Sequence, residues 1–466
     1  MHVMIIGAYG SAGSAAAEGL ADHVGGAVDR LTLVDDGEPG GGLCILNGCM
    51  ASKEVLSAAA HRFQARADDR LDGEPPTIDL DRVVDRKNEH VERFAAHRRG
   101  AIHELSEQEG IGFIHDTARF ADNRIVEVDG ERYEPDYVVI ATGSSPKIPE
   151  LPGIGEVDYY TSKDVLDATE LPDSGVVMGF GYIGLELVAY LAEAGVDLTV
   201  VEHDARPIDE ADPAFGDELV ELYREAFDIE ILTNTWERRL EATDKGVRLH
   251  VEAAGDNRTV DAEGLFLFTG RQPSLDRLGI ANTSLRPREG WVDATMCAVD
   301  DERVFVVGDV NGKEPILHVA KEQGYVAADN IIAADVGERL ERYSNVHHHV
   351  IFSGASVYPF ARVGHTPESA EAAGFDVVTA TRWAADDGVF KVKDLAHGLA
   401  RLTVDAETGT VLGYQGLHAH ADSMAKTLQV IVELELDVRE LPDRAYHPTL
   451  PEILDGLFRE TAGQVD

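Results

Sequence analysis

Val3-Met4-Ile5-Ile6-Gly7-Ala8-Tyr9-Gly10-Ser11-Ala12-Gly13 opens the chain, and Val176-Val177-Met178-Gly179-Phe180-Gly181-Tyr182-Ile183-Gly184 repeats its plan downstream. In each, the apolar run reads as a buried strand, the glycines as a tight turn, and the residues after them as the start of a helix. Each is followed by a second apolar strand ending in an acid: Asp35 after residues 31–34 and Glu202 after residues 198–201. The glycines serve close approach. A pyrophosphate settles on the helix N-terminus, where backbone N–H groups and the helix dipole favour negative charge and a side chain would block it. The acid then accepts hydrogen bonds from a ribose. The chain therefore reads as carrying two dinucleotide sites, with Gly7, Gly10, Gly13 and Asp35 in one and Gly179, Gly181, Gly184 and Glu202 in the other. The second copy has the G-x-G-x-x-G spacing. The first is one residue longer, so the motif does not fix its loop geometry.

The chain has 466 residues, with 41 Lys plus Arg against 85 Asp plus Glu, a net charge of −44. Such a protein repels nucleic acid and anionic membranes. At molar salt the screening length falls to about 3 Å and self-repulsion largely disappears, so the acidity, spread along the whole chain, predicts a salt-adapted cytoplasm such as a halophile's. Met1 leads almost at once into a strand, leaving no space for a signal peptide, and no apolar run approaches the roughly 18 residues of a membrane span. A cytoplasmic location is the expectation.

Apolar runs bounded by glycine alternate with helical patterns, which predicts an α/β protein with two Rossmann-like, parallel-sheet dinucleotide domains. Residues 124–128 and 137–141 read as strands of a small β excursion, and Pro146, Pro149 and Pro152 as a linker. Beyond about residue 340, alternating strands such as 399–404, the turn Thr408-Gly409 and a helix near 424–436 predict an α+β domain with no nucleotide motif.

Cys44 and Cys49 are two of only three cysteines. A structural disulfide suits a reducing cytosol poorly, a zinc site lacks further ligands nearby, and an inert buried pair ignores the glycine-rich run around it. Reversible redox chemistry is the reading preferred. His347-His348-His349 invites a metal, but a strand sends alternate side chains to opposite faces, so the three do not converge simply, and no metal is expected. Cys297 reads as a thiol packed in a strand.

Five motifs then occur in order: residues 40–53 around Cys44, Cys49 and Lys53; Ala141-Thr142-Gly143-Ser144; Phe268-Thr269-Gly270-Arg271-Gln272-Pro273; Val306-Val307-Gly308-Asp309; and His447-Pro448-Thr449-Leu450-Pro451-Glu452. Through these the chain resembles, over its full length, the FAD-dependent pyridine nucleotide–disulfide oxidoreductases, the group of dihydrolipoamide dehydrogenase, glutathione reductase and mercuric reductase. The resemblance implies an FAD-binding domain in two parts, 1–148 and 267–341, an NAD-binding domain, 149–266, and a dimerisation domain, 342–466. It implies that Cys44 exchanges disulfides with substrate and Cys49 faces the flavin, with His447 as base, oriented by Glu452 and supplied by the partner subunit of a homodimer. FAD falls to the first site, with Asp35 at its adenosine ribose and Asp309 near the flavin side, and with Ala118, Thr142, Gly143, Gly270, Arg271, His318 and Ala320 as further cofactor positions. Lys53 and Glu186 fall where the family has an ion pair beside the flavin, and Tyr182 where a side chain covers the flavin and moves aside for nicotinamide. Glu202 favours NAD over NADP, which carries a 2′-phosphate there; nearby Arg206 works against that preference.

The implied activity is that of a dihydrolipoyl dehydrogenase. The alternatives are an NAD(P)H-driven reductase of a small disulfide such as bis-γ-glutamylcystine, and a docking subunit of a 2-oxo acid dehydrogenase complex with altered catalysis. Mercuric reductase fits less well, because residues 461–466 hold no cysteine pair. Departures from the family's G-G-T-C-x-N-x-G-C-x-P-S-K run cluster near the cofactor: Leu43 stands for Thr, Asn47 is displaced by one position, and Ala51 stands for Pro. Together with the longer first loop they predict a divergent flavin environment.

Overall fold

The structure is a computed structural model that describes residues 1–465. Its contacts divide the chain into two units.

The first unit comprises Met1–Ala51, Asp85–Lys147 and Arg271–Asn345. Its six-stranded sheet runs in the order Cys297–Ala298, Asp301–Val306, Tyr137–Ile140, His2–Ile6, Arg30–Asp35, Ile111–His115. All neighbours are parallel except the first pair. Val3, Met4 and Ile5 are fully buried, as a strand covered on both faces requires. From His2–Ile6 the chain goes to one side for Arg30–Asp35 and to the other for Tyr137–Ile140, which makes a switch point whose crevice lies at the carboxyl ends of these strands. The helix Ser11–Ala21 lies close against Leu317–Asp335: a Cβ on Gly324 would stand 2.4 Å from the Ala12 carbonyl oxygen. The β excursion is an antiparallel meander of Arg119–Asp122, Ile125–Val128 and Glu131–Tyr133; residues 137–141, read from sequence as part of it, instead supply the strand Tyr137–Ile140 of the six-stranded sheet. Cys297 is buried in its short strand.

The second unit comprises residues 52–84, 148–270 and the chain from Val346 on. It holds a five-stranded parallel sheet ordered Glu230–Leu232, Asp197–Val201, Ser174–Met178, Gly264–Leu267, Tyr160–Thr161. A three-stranded meander, Thr235–Thr243, Gly246–Ala253 and Asp256–Ala262, adjoins it. Further along the chain comes a five-stranded antiparallel sheet, ordered His348–Ile351, Phe360–Gly364, Val411–Leu417, Leu399–Asp405, Val377–Trp383. Alternation was expected over 399–404, yet in Leu399–Asp405 every residue but Arg401 is buried. One face carries the helices Ala421–Glu433 and Glu452–Ala462, and Phe215 of the helix Pro213–Phe227 reaches Phe360 with ring centroids 5.7 Å apart. Residues 52–84, read from sequence with 1–148, cluster instead with the second unit: Phe63 stacks on Phe227 at 4.7 Å, and Arg62 and Arg66 grip the buried carboxylate of Glu193. The boundary between units falls inside the helix Cys49–Ala67. No helix among the described residues is long and apolar enough to cross a membrane.

Candidate active site

A cavity of about 640 Å³ lies in the first unit, within the range of cofactor pockets. Gly7, Gly10, Asp35, Ala118, Thr142, Gly143, Asp309 and Ala320 line it, together with Cys44 and Cys49. Gly13, Arg271 and His318 do not. Gly13 lies behind the wall, where a Cβ would stand 2.1 Å from the Gly7 carbonyl oxygen. Arg271 donates to the Ser144 hydroxyl and carbonyl at 2.8 and 2.6 Å, and the Ser144 hydroxyl donates in turn to Asp309 at 2.6 Å.

The longer first loop is resolved by comparison with the second. Gly179 N–H donates to the Val201 carbonyl at 2.9 Å and Phe180 N–H to Glu202 at 2.7 Å. In the first motif Gly7 and Ala8 both donate to the Val34 carbonyl, at 2.9 and 3.2 Å, and Tyr9 N–H donates to Asp35 at 2.9 Å. The extra residue is thus Ala8, absorbed as a bulge on one carbonyl. Gly10 caps Ser11–Ala21 as Gly181 caps Tyr182–Glu193, so both helices present their N–H groups alike. Burial raises the Asp35 carboxyl above the usual range, opposed by the N–H groups of Tyr9 and Gly37. Beyond Asp35, Asp36 pairs with Arg277 at 2.6 Å and accepts from the Thr117 hydroxyl; all three line the cavity, and no sequence motif marked them.

Cys44 sits in the short helix Leu43–Leu46, and Cys49 begins the helix Cys49–Ala67. Gly48 turns the chain between them, with a Cβ position only 3.0 Å from the Leu43 carbonyl oxygen. The two thiols are hydrogen-bonded, and this contact, then burial, pushes the Cys44 thiol well up. Cys49 begins the longer helix and is the more exposed of the two thiols. Leu43 and Leu46 line the cavity where the family run has polar side chains, and Ala51 is buried in the helix as a good helix former.

In the second unit Lys53 makes a two-pronged ion pair with Glu186, at 2.8 and 2.9 Å. Phe352, which sequence reasoning missed, completes this group: its N–H donates to Glu186 at 3.1 Å and its ring lies 4.2 Å from the Lys53 ammonium. Glu202 is buried, holding Phe180 N–H with one oxygen and Asp204 N–H, at 3.0 Å, with the other. Arg206 is turned to Asp217, 2.6 Å away. Gly270 turns at φ +87 directly before Arg271.

His447 and Glu452 also lie in the second unit. Nδ1 is 3.0 Å from one carboxylate oxygen, and Thr449 N–H donates to the other at 2.7 Å. The imidazole, then this N–H, hold the Glu452 carboxyl below its ordinary range. With Nδ1 engaged, Nε2 is the nitrogen left to a substrate, and the ring is 78% exposed.

A family model described as pyridine nucleotide-disulphide oxidoreductase matches residues 1–324, and that family's dimerisation domain matches residues 350–457. The chain belongs to the pyridine nucleotide-disulphide oxidoreductase family. Among its relatives, a dihydrolipoyl dehydrogenase of Haloferax volcanii is 28% identical over 91% of this chain and 90% of its own. A mercuric reductase of Staphylococcus aureus is 26% identical over 95% and 78%. The HOCl-induced flavoprotein disulfide reductase RclA from Escherichia coli superposes with a TM-score of 0.81 at 23% identity, covering 98% of this chain and 99% of that one; this is a likeness of fold. The protein is an enzyme, a flavoprotein disulfide oxidoreductase that uses FAD and a nicotinamide dinucleotide, and its dimerisation domain indicates a homodimer. The cavity suits FAD on its own geometry. Gly143 turns in its wall at φ +69 with nothing within 4 Å of where a Cβ would stand, leaving that wall bare, and the cap of Ser11–Ala21 is there for a pyrophosphate.

Proposed function

We propose that the enzyme is a dihydrolipoyl dehydrogenase that oxidises dihydrolipoyl thiols with NAD⁺ through a Cys44–Cys49 disulfide. The observation that carries the reading is the hydrogen-bonded thiol pair in the cavity wall, Cys44 half-buried and Cys49 at a helix N-terminus. A dihydrolipoyl thiolate attacks Cys44 Sγ, breaking the disulfide and releasing Cys49 as thiolate. The second lipoyl sulfur then attacks the first, closing the lipoyl disulfide and releasing Cys44. His447 of the partner subunit takes up the thiol protons through Nε2, while Glu452 stabilises the imidazolium. FAD held in the cavity would supply the acceptor for the electron pair of Cys49 and the hydride for NAD⁺.

The engagement of Arg206 by Asp217 supports NAD, since the arginine that follows Glu202 in sequence is already held. The reading extends to a cytoplasmic, salt-rich setting and to docking on a 2-oxo acid dehydrogenase complex. Steady-state assays in molar KCl test it, comparing dihydrolipoamide plus NAD⁺ with NADPH plus bis-γ-glutamylcystine and NADPH plus Hg²⁺. Turnover with the first pair is expected; none there, with rapid NADPH oxidation in another arm, overturns it.

A further inference from the structure

The triplet His347-His348-His349 stands apart from the redox motifs, and the structure gives two of its members a common position. His347 and His349, two residues apart, share a side at the start of the strand His348–Ile351, with Nε2 of the first 2.8 Å from Nδ1 of the second. The buried His349 ring lies against the ring of Tyr182, centroids 5.2 Å apart and planes inclined by 27°. At its far end the Tyr182 hydroxyl donates to the Glu210 carboxylate.

Glu210 is itself held. Arg362, which faces His349 across the antiparallel ladder, donates to the Glu210 carbonyl at 3.2 Å. Two residues before Glu210, Ile208 adopts φ +59, a strained conformation for a β-branched residue, which persists only where surroundings enforce it. Two residues after it, Asp212 caps Pro213–Phe227 and pairs with Arg401. The loop 208–212 is therefore anchored on both sides of the residue that meets Tyr182. Burial, then Glu210, raise the Tyr182 phenol, so it stays a donor.

We propose that Glu210 and the His347–His349 pair are positioning residues that latch Tyr182, so that nicotinamide gains access only when this latch opens. The proposal rests on the reading of Tyr182 as the side chain that moves aside for nicotinamide, and adds what holds it. To swing away, the phenol must leave a charged acceptor and the ring must leave His349. Losing the acceptor raises the population of the displaced form by roughly tenfold, the scale of one charge-assisted hydrogen bond. Apparent affinity for the nicotinamide dinucleotide rises in proportion to the competent population.

The test is stopped-flow reduction of the holoenzyme's flavin by NADH in molar KCl. E210A and E210Q are expected to lower the apparent Kd for NADH by roughly tenfold and about threefold, with flavin content and flavin reduction by dihydrolipoamide unchanged. Y182F, which lacks the hydroxyl, should match E210A, and adding E210A to Y182F should change nothing further. H349A should loosen the latch while H349F, which keeps a ring, restores it; D209N, beside Glu210 but not the phenol's hydrogen-bond acceptor, should resemble the parent. An E210A effect of the same size with and without the Tyr182 hydroxyl, or no effect in either, overturns the latch. Unchanged NADH kinetics in Y182A would instead remove the gate reading beneath it.

Discussion

The two glycine motifs make a paired prediction, because the same substitution should cost one site flavin and the other nicotinamide. A Cβ at Gly13 would stand 2.1 Å from the Gly7 carbonyl oxygen, and one at Gly184 2.6 Å from the Gly179 carbonyl oxygen, where real Cβ contacts do not fall below 3.0 Å. The helix or the loop must therefore yield by about 0.9 Å at the first position and about 0.4 Å at the second. Overpacking of this kind costs about 1–3 kcal/mol, and Gly13→Ala belongs at the upper end. The displaced groups are the cap N–H groups that would hold a pyrophosphate, so much of that cost appears as lost affinity, about tenfold per 1.4 kcal/mol. Gly13→Ala should purify with FAD content well below stoichiometric and recover it only with excess FAD. Gly184→Ala should keep its flavin and raise KM for NAD⁺ by roughly three- to tenfold. Gly181→Ala separates packing from binding: nothing lies within 4 Å of its Cβ position, so stability should hold while nicotinamide binding falls. The measurements are flavin-to-protein absorbance ratio, Tm and NAD⁺ kinetics. Full, tight flavin in Gly13→Ala would refute the placement of the cofactor on the first motif.

Lys53→Met should make the flavin potential more negative by about 30 mV, equivalent to about 1.4 kcal/mol for a two-electron couple, and Glu186→Gln should move it the opposite way; shifts of the same sign in redox titrations would mean the pair acts only on packing. His418, buried with its Nε2 on the Tyr414 hydroxyl, is pushed down to about 4, chiefly by burial. Its folded value is below the unfolded one, so the neutral ring's contribution is complete above about pH 6.5 and is lost as pH falls toward the folded value, about 2 kcal/mol between pH 6.5 and 5. Wild-type Tm should therefore fall more steeply over that window than Tm of His418→Gln; parallel slopes would contradict it. With a net charge of −44, Tm should climb as KCl goes from about 0.1 to 1 M and the screening length shrinks from about 10 to 3 Å. A flat or falling Tm would leave the acidity without that role.

The features legible in the sequence are those that repeat or lie close along the chain. The two strand–glycine–helix units, their acids and the short Cys44–Cys49 separation are local patterns whose chemistry comes from spacing. His447 and Glu452, five residues apart, are likewise local, and their hydrogen bond needs only one turn of chain. The features that were not legible depend on distant backbone. The Ala8 bulge exists because the Val34 carbonyl accepts two N–H groups, a fact of strand pairing that no glycine count contains. Phe352 and Glu210 reach Lys53–Glu186 and Tyr182 only through tertiary packing. Residues 52–84 join the second unit through Phe63, Arg62 and Arg66 because their buried partners, Phe227 and Glu193, lie there. Leu399–Asp405 loses its expected alternation for the same reason, since the helix Glu452–Ala462 packed against it lies far along the chain.

The central claim is that Cys44 and Cys49 form a disulfide that exchanges electrons with bound flavin, and anaerobic reductive titration of the holoenzyme with dithionite tests it most directly. Wild-type enzyme should take up one electron pair more than its flavin content requires, the extra pair producing two thiols countable with a thiol reagent. Cys44→Ser and Cys49→Ser should each lose that pair while keeping the flavin's own. Uptake equal to flavin content in the wild type, or an extra pair that survives either substitution, would contradict it.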